Sequence, residues 1–324
     1  MKLRFIFYIL TLIIGSMLIS CNQNIKTNPD NESKFTKLSG AYLSQKPPGM
    51  IPEIFAPGIV SIKGRIELNA IFSSDYHELY FSILNNDRYE IMVMKYENNL
   101  WLTPELCDFS VKHNNVDIFI SQDNDRILFC SDRPKEKSNS PFDRLKIWMM
   151  MRNAVGWSEP IYLGSKINDG ESQIYPSLSK QGNLYFSSER KDGFGGYDVY
   201  NSEFNNNTYS SPQNLGPAIN SKENEGDAFI SPDEKFLIVT CSEREDCIGG
   251  ADLYISFKND DNTWGELKNM GILVNSEDVE YCPALTPDGK YFMFSRRNSG
   301  NGDIYWVDAK VIEELRSKHL KQVK

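Results

Sequence analysis

An all-β protein, assembled from one small sheet repeated around a ring, is the fold this chain predicts. Three observations predict it. The stretch Tyr175–Tyr200, YPSLSKQGNLYFSSERKDGFGGYDVY, recurs at Asp227–Tyr254 and at Cys282–Tyr305, with weaker copies at Asn69–Val93 and Asp117–Met149. The copies register on their first turns, Ser73, Ser121, Ser179, Ser231 and Thr286, at spacings of 48, 58, 52 and 55 residues. That period is too long for a helical hairpin and suits four strands. Finally, Ile54–Ser61 (IFAPGIVS) matches the ends of later copies, Ile161–Asn168, Leu215–Asn220 and Met270–Asn275, whereas the fifth copy lacks such an end. Strands that need neighbours to bury their faces, arranged so that the first segment completes the last sheet, make a β-propeller. Five blades closed by an N-terminal strand, followed by a short C-terminal helix, are expected. Six blades are the alternative, because the second copy carries a long loop and the fifth is incomplete.

The first residues are not part of that fold. Lys2 and Arg4 precede the apolar run Phe5–Leu18, which is short for a bilayer span of about 20 residues. Leu18-Ile19-Ser20-Cys21 resembles a bacterial lipobox, which implies cleavage before Cys21 and lipidation of its thiol. An ordinary secretory peptide or a short membrane anchor is the other reading. Asn22 in place of aspartate leaves no inner-membrane retention signal, by similarity to enterobacterial lipoproteins, so an outer-membrane lipoprotein of the cell envelope is expected. The organisation is then 1–20 signal peptide, 21–40 polar tether, 41–310 propeller and 311–324 helix and tail. Acyl chains would hold the protein to the membrane, because the formal net charge of −9 offers no polybasic attraction. The same charge excludes nucleic acid as a partner.

Within each copy the elements follow from composition. A short apolar first strand (Ala70-Ile71-Phe72 in copy 1) leads to a turn in which Asp75, Asp123, Gly182, Asp233 and Asp288-Gly289 supply turn chemistry. The second strand is the most apolar: Leu79-Tyr80-Phe81, Ile127-Leu128-Phe129, Leu184-Tyr185-Phe186, Phe236–Val239 and Tyr291–Phe294. Such β-branched and aromatic runs suit strands buried on both faces. Third strands lie at Ile91–Val93, Ile147–Met149, Val199-Tyr200, Leu253-Tyr254 and Ile304-Tyr305, and fourth strands start near Trp101, Trp157, Tyr209 and Trp264. Asp308 onward reads as a helix.

The text Ser231-Pro232-Asp233-Glu234-Lys235-Phe236 and Thr286-Pro287-Asp288-Gly289-Lys290-Tyr291 resembles the PD40 repeat, the WD40-like propeller repeat of TolB. Ser188-Glu189-Arg190, Ser242-Glu243-Arg244 and Ser295-Arg296-Arg297 are similar to that family's Ser-Asp-Arg. Asp198-Val199-Tyr200, Asp252-Leu253-Tyr254 and Asp303-Ile304-Tyr305 are similar to its Asp-Ile-Tyr. Copies 1 and 2 depart from the pattern. The resemblance implies a propeller with a binding role, and it brings no catalytic residues.

Candidate site residues follow from position. Four to six residues before each first turn lie Glu67 and Asn69, Asn115 and Asp117, Gln173 and Tyr175, Glu225 and Asp227, and Glu280 and Cys282. The start of an innermost strand sits at one mouth of a propeller channel, and period-2 alternation puts both members of a pair on one face. Such a ring could bind a cation, calcium included, or a polar ligand tip; otherwise it is a solvated acidic rim. No other cofactor is indicated. The Arg and Asp pairs Arg190/Asp198, Arg244/Asp252 and Arg297/Asp303 read as braces for the loop between second and third strands. Gly193–Gly196 and Gly249-Gly250 read as hairpin-loop glycines. Cys241 and Cys247 flank one loop and could pair. Catalysis has little support: the three histidines, His77, His113 and His319, share no motif, and no Gly-x-Ser-x-Gly or His-Glu-x-x-His is present. The expected function is an extracytoplasmic binding or scaffold module for an envelope protein or glycan. The alternative is a carbohydrate- or peptide-directed hydrolase or lyase.

Overall fold

The computed structural model describes residues 37–135 and 144–322. The expected signal peptide, Cys21 and the tether up to residue 36 lie outside the described residues.

Each of the five sequence copies, called repeats 1 to 5, is a small antiparallel sheet. The first three strands are Ile66–Phe72, Glu78–Asn85 and Arg88–Glu97 in repeat 1, and Asn115–Ile120, Arg126–Ser131 and Lys146–Asn153 in repeat 2. They are Gln173–Leu178, Leu184–Ser188 and Asp198–Ser202 in repeat 3, and Asn224–Ile230, Phe236–Ser242 and Ala251–Phe257 in repeat 4. Repeat 5 has Val279–Leu285, Tyr291–Arg297 and Gly302–Asp308. Second strands are largely buried, as their composition predicts, because each is sandwiched by its neighbours in the sheet and by adjoining sheets.

The fourth strand starts later in the chain than expected. In repeats 1 and 2 the tryptophans sit in hairpin extensions, Leu100–Trp101 and Gly156–Trp157, and separate two-residue rungs, Glu105–Leu106 and Ile161–Tyr162, complete the sheet. Gln213–Asn214 and Lys268–Asn269 do the same in repeats 3 and 4. In repeat 5 the rung comes from the start of the chain: Glu53 pairs with Trp306 and Ile54 with Tyr305. An aromatic cluster seats it. Phe55 lies 5.1 Å from Trp306 and 5.9 Å from Phe72, and Tyr42 lies 5.1 Å from Tyr291.

First strands pack one against the next along the chain, and that of repeat 5 packs against that of repeat 1. Parallel single rungs, Ala251 with Val279 and Gly302 with Ile66, join the third strand of repeat 4 to the first of repeat 5, and that of repeat 5 to the first of repeat 1. The turn after each first strand is built as its sequence predicts. Ser73, Ser231 and Thr286 donate their hydroxyls to Asp75, Asp233 and Asp288 at 2.6 to 2.9 Å, while the same oxygens accept backbone amides. Ser121 and Asp123 make the same contact. The helix Lys310–Gln322 buries Val311 and Ile312 beside repeats 4 and 5.

Candidate functional site

The paired positions in the first strands divide into two jobs. The first member of each pair is fully buried: Glu67, Asn115, Gln173, Glu225 and Glu280. An unpaired buried carboxylate is costly, and four of the five are met by an arginine. Arg65 pairs with Glu67, Arg133 donates to Asn115 at 2.7 Å, Arg244 to Glu225 at 2.7 Å and Arg296 to Glu280 at 2.6 Å. Gln173 instead donates to Asp169 O and Ser188 Oγ. Burial lifts Glu67 to about 7, although Arg65 pulls the other way.

These arginines reach further, into the tail that precedes their own repeat. Arg65, Arg133, Arg190, Arg244 and Arg296 donate to the carbonyls of Val60, Phe109, Ile167, Ile219 and Val274, at 2.7 to 3.0 Å. The next residue in each tail is Ser61, Ser110, Asn168, Asn220 or Asn275. Its side chain accepts a third-strand amide: Ile304, Ile91, Ile147, Val199 or Leu253, at 2.7 to 3.1 Å. The expected Arg–Asp braces therefore do not form. Arg190 and Arg244 are committed to the preceding tail, and in repeat 5 the committed residue is Arg296, with Arg297 exposed. Asp198 and Asp252 serve the loop instead, accepting the amides of Phe194 and Ile248 and the side chains of Asn214 and Asn269. The tail asparagines were visible in the aligned copies as the last letter of each Leu-Gly or Met-Gly tail. Their role was not, because it depends on which strand the tail crosses.

The second member of each pair behaves differently. Asn69, Asp117, Tyr175, Asp227 and Cys282 have φ of 54°, 57°, 50°, 32° and 54°. In every repeat the pairing of first and second strands slips at this residue. This is a bulge repeated five times. The bulge overturns the same-face expectation, since period-2 alternation holds only for an unbroken ladder. It also turns these side chains towards one another across repeats. Asp117 accepts the Tyr175 amide at 3.2 Å and Asp227 accepts the Cys282 amide at 3.0 Å. The Tyr175 hydroxyl donates to Pro283 O at 2.9 Å and accepts from Asn69 Nδ2 at 3.2 Å. Asn69, Asp117, Tyr175 and Cys282 are buried and Asp227 is half-buried, so this is an interior cluster rather than a solvated rim. Burial, then the Asp227 charge, pushes Asp117 up to about 8, and burial raises Asp227 as well.

The glycine-rich loops have a stricter reason than hairpin chemistry. A Cβ on Gly195 would collide with the Lys222-Glu223 backbone, and one on Gly249 with Ser276–Asp278. Each loop lies on the connection entering the next repeat. Its tip carries an apolar residue pinned through its amide by the buried aspartate, and both tips are exposed: Phe194 at 51% and Ile248 at 40%. A separate cleft of about 670 Å³ between repeats 1 and 2 is lined by Trp157, Tyr80, Phe109, Glu78, Glu105 and Arg152 among others. Among the described residues no group of three or more His, Cys, Asp or Glu gathers as metal ligands. Cys107, Cys130, Cys241, Cys247 and Cys282 are free thiols, so Cys241 and Cys247 do not pair; Cys247 Sγ instead sits 3.7 Å from the Cys241 carbonyl.

No protein-family model and no curated protein sequence matches the chain. Solved structures do. TolB from Acinetobacter baumannii is similar at a TM-score of 0.50 and 16% identity, over 76% of this chain and 52% of that one. A putative TolB from Agrobacterium tumefaciens is similar at 0.49 and 13%, over 72% and 71%. A glycoside hydrolase is similar at 0.49 and 10%, over 76% and 88%. This chain thus spans about half the length of the Acinetobacter protein. At 16% identity the likeness to the Acinetobacter protein speaks for architecture alone, and with the five repeated antiparallel sheets it makes this chain a β-propeller.

Proposed function

We propose that this protein is a lipid-anchored, extracytoplasmic propeller of the PD40 type that binds another protein of the cell envelope. In this reading the five repeats are five blades in a closed ring, completed by the N-terminal rung at Glu53–Ile54. Cys21 carries the lipid, and residues 22–40 tether the ring to the outer membrane.

One observation carries the binding reading. Phe194 and Ile248 stand exposed at equivalent places in neighbouring repeats, on loops whose backbones are fixed by Asp198 and Asp252 and by the next repeat. An apolar side chain on a mobile tip can fold away from water. On a rigid latch it stays exposed, and covering it gains about 25 cal/mol per Å². The polar motif residues, by contrast, are consumed inside the fold.

Capture of envelope proteins by the solubilised, lipidated protein tests this. The Phe194→Asp/Ile248→Asp variant should lose the captured partner, while Val155→Asp, on an exposed third-to-fourth-strand hairpin, should keep it. Equal capture by all three sinks the reading. A glycan is the second reading, favoured by Trp157 and Tyr80 in the 670 Å³ cleft; its mark would be glycan binding lost in Trp157→Ala. Glu78 and Glu105 there are tied to Arg152 and Lys95, which suits binding better than hydrolysis.

A further inference from the structure

Glu67, Glu225 and Glu280 hold the same place in repeats 1, 4 and 5. All three are fully buried and paired with arginine, yet they are not equally provided for. Glu225 accepts the Ser221 hydroxyl at 2.7 Å on one oxygen and the Ser221 amide at 2.9 Å on the other, besides Arg244. Glu280 accepts the Ser276 hydroxyl at 2.5 Å and amide at 3.0 Å in the same way, besides Arg296. In both repeats this serine directly follows the tail asparagine. In repeat 1 the residue after Ser61 is Ile62, which brings no hydroxyl. Arg65 engages Glu67 Oε1, and Glu67 Oε2 is left without a hydrogen-bond partner. A buried carboxylate with one oxygen unpartnered is costly to keep charged, and a proton removes most of that cost.

Glu67 also stands where repeat 5 meets repeat 1. Arg65 donates to Val60 O at 2.8 Å, and its own carbonyl accepts the Gly302 amide at 3.2 Å. Gly64 donates its amide to Asn301 Oδ1 at 2.6 Å, and Ile66 makes the parallel rung with Gly302. Burial is the largest influence on the Glu67 carboxyl and outweighs Arg65 and the Ile62 amide, which favour its ionised form; Asp303, in the third strand of repeat 5, adds to burial. Besides tyrosines and the Cys282 thiol, the strands packed on this one carry Glu78, Glu280 and Asp308, each with its own cation, the buried Asp117 and the exposed Arg297.

We propose that the seam between repeats 5 and 1 is a pH-sensitive joint, held most tightly when Glu67 carries a proton and loosened when that proton leaves. The sign follows from linkage. A carboxyl raised in the folded chain contributes its stability fully below the unfolded value and loses it as pH rises through the folded one. For Glu67 that window runs from the ordinary value of 4.5 to about 7. The residues that would let go lie where the chain enters repeat 1, so the response is a local opening of the tail from the third strand of repeat 5. The joint does not depend on the partner-binding reading, since Phe194 and Ile248 lie on loops of repeats 3 and 4.

The test is amide hydrogen exchange of the purified full chain between about pH 5 and pH 8, corrected for the intrinsic exchange rate. The seam amides are those of Phe55, Gly302 and Ile304, bonded to Ile304 O, Arg65 O and Ser61 Oγ. Val199 and Leu253, held by the tail asparagines of repeats 3 and 4, serve as references. Protection at the seam should fall by about tenfold or more as pH rises, since each unit of pKa displacement is worth a factor of ten, while the references stay level. Glu67→Gln should abolish the fall. Ile62→Ser, which returns the hydroxyl that Ser221 and Ser276 supply, should keep the seam protected at the upper pH. A wild-type seam whose protection is the same at both ends overturns the proposal, as does a fall that persists in Glu67→Gln. Should Glu67→Gln fail to fold, an undiminished fall in Ile62→Ser is decisive against it.

Discussion

Ser61 Oγ accepts the backbone amide of Ile304 at 3.1 Å, across 243 residues of sequence. Ser110 does this within repeat 1, and Asn168, Asn220 and Asn275 do it in repeats 2, 3 and 4. The segment before repeat 1 therefore plays towards repeat 5 the part that each tail plays towards its own repeat.

Ser61→Ala leaves a buried amide unpaired, at a cost of about 1–3 kcal/mol. Ser61→Asn should be tolerated, because asparagine fills the equivalent place three times and also donates to the same residue's carbonyl, as Asn168 does to Ile147. Urea unfolding measures both. A neutral Ser61→Ala would mean that the N-terminal rung contributes little.

The arginine clamps predict a sharper asymmetry. Arg296→Met strands the fully buried Glu280 and should cost about 3–5 kcal/mol, whereas Arg296→Met/Glu280→Met together should recover most of that. The pair sits between the tail of one repeat and the strands of the next. The loss should therefore appear as lowered cooperativity of unfolding as well as a lower midpoint.

Acid should act through the Ser/Thr-x-Asp turns. Partial burial opposes ionisation of Asp75, Asp123, Asp233 and Asp288, yet hydrogen bonds from the turn hydroxyl and from backbone amides or neighbouring side chains hold all four below the usual carboxylate range. A depressed carboxyl contributes stability above its unfolded pKa and loses it as pH falls through the folded one. Unfolding free energy should thus decline below about pH 4. Asp288→Asn, which also loses the charge that Tyr42 donates to, should flatten that decline. Urea midpoints between pH 5 and pH 2 check it.

Gly249→Ala and Gly300→Ala separate close approach from flexibility. A Cβ at 249 would run into the Asp278 carbonyl, whereas at 300 it meets open space. The first should lower the melting temperature by several degrees, equivalent to about 1–3 kcal/mol of overpacking, and the second should leave it unchanged.

Thiol labelling should report the burial pattern. Cys247 is half-buried and Cys107, Cys130, Cys241 and Cys282 are buried; burial also pushes those four thiols up. Among these five, Cys247 should react first in the native protein and the other four only on unfolding. Reductant should leave the melting temperature unchanged.

What is local or periodic is legible in the chain alone. The repeat length, the Ser-x-Asp turns, the apolar second strands and the orphan tail at Ile54–Ser61 are short-range patterns, so they are written in neighbouring letters. Contacts between repeats are not. Glu225 and Asp227 are two letters apart and look interchangeable. A left-handed backbone at Asp227 sends one to an arginine and the other to the Cys282 amide, 55 residues on. Arg190 and Asp198 look like partners in the text, but Arg190 finds a carbonyl 23 residues earlier and Asp198 finds its own loop. These pairings are set by three-dimensional packing, because a buried polar group takes whichever partner the packing of separate sheets delivers to it.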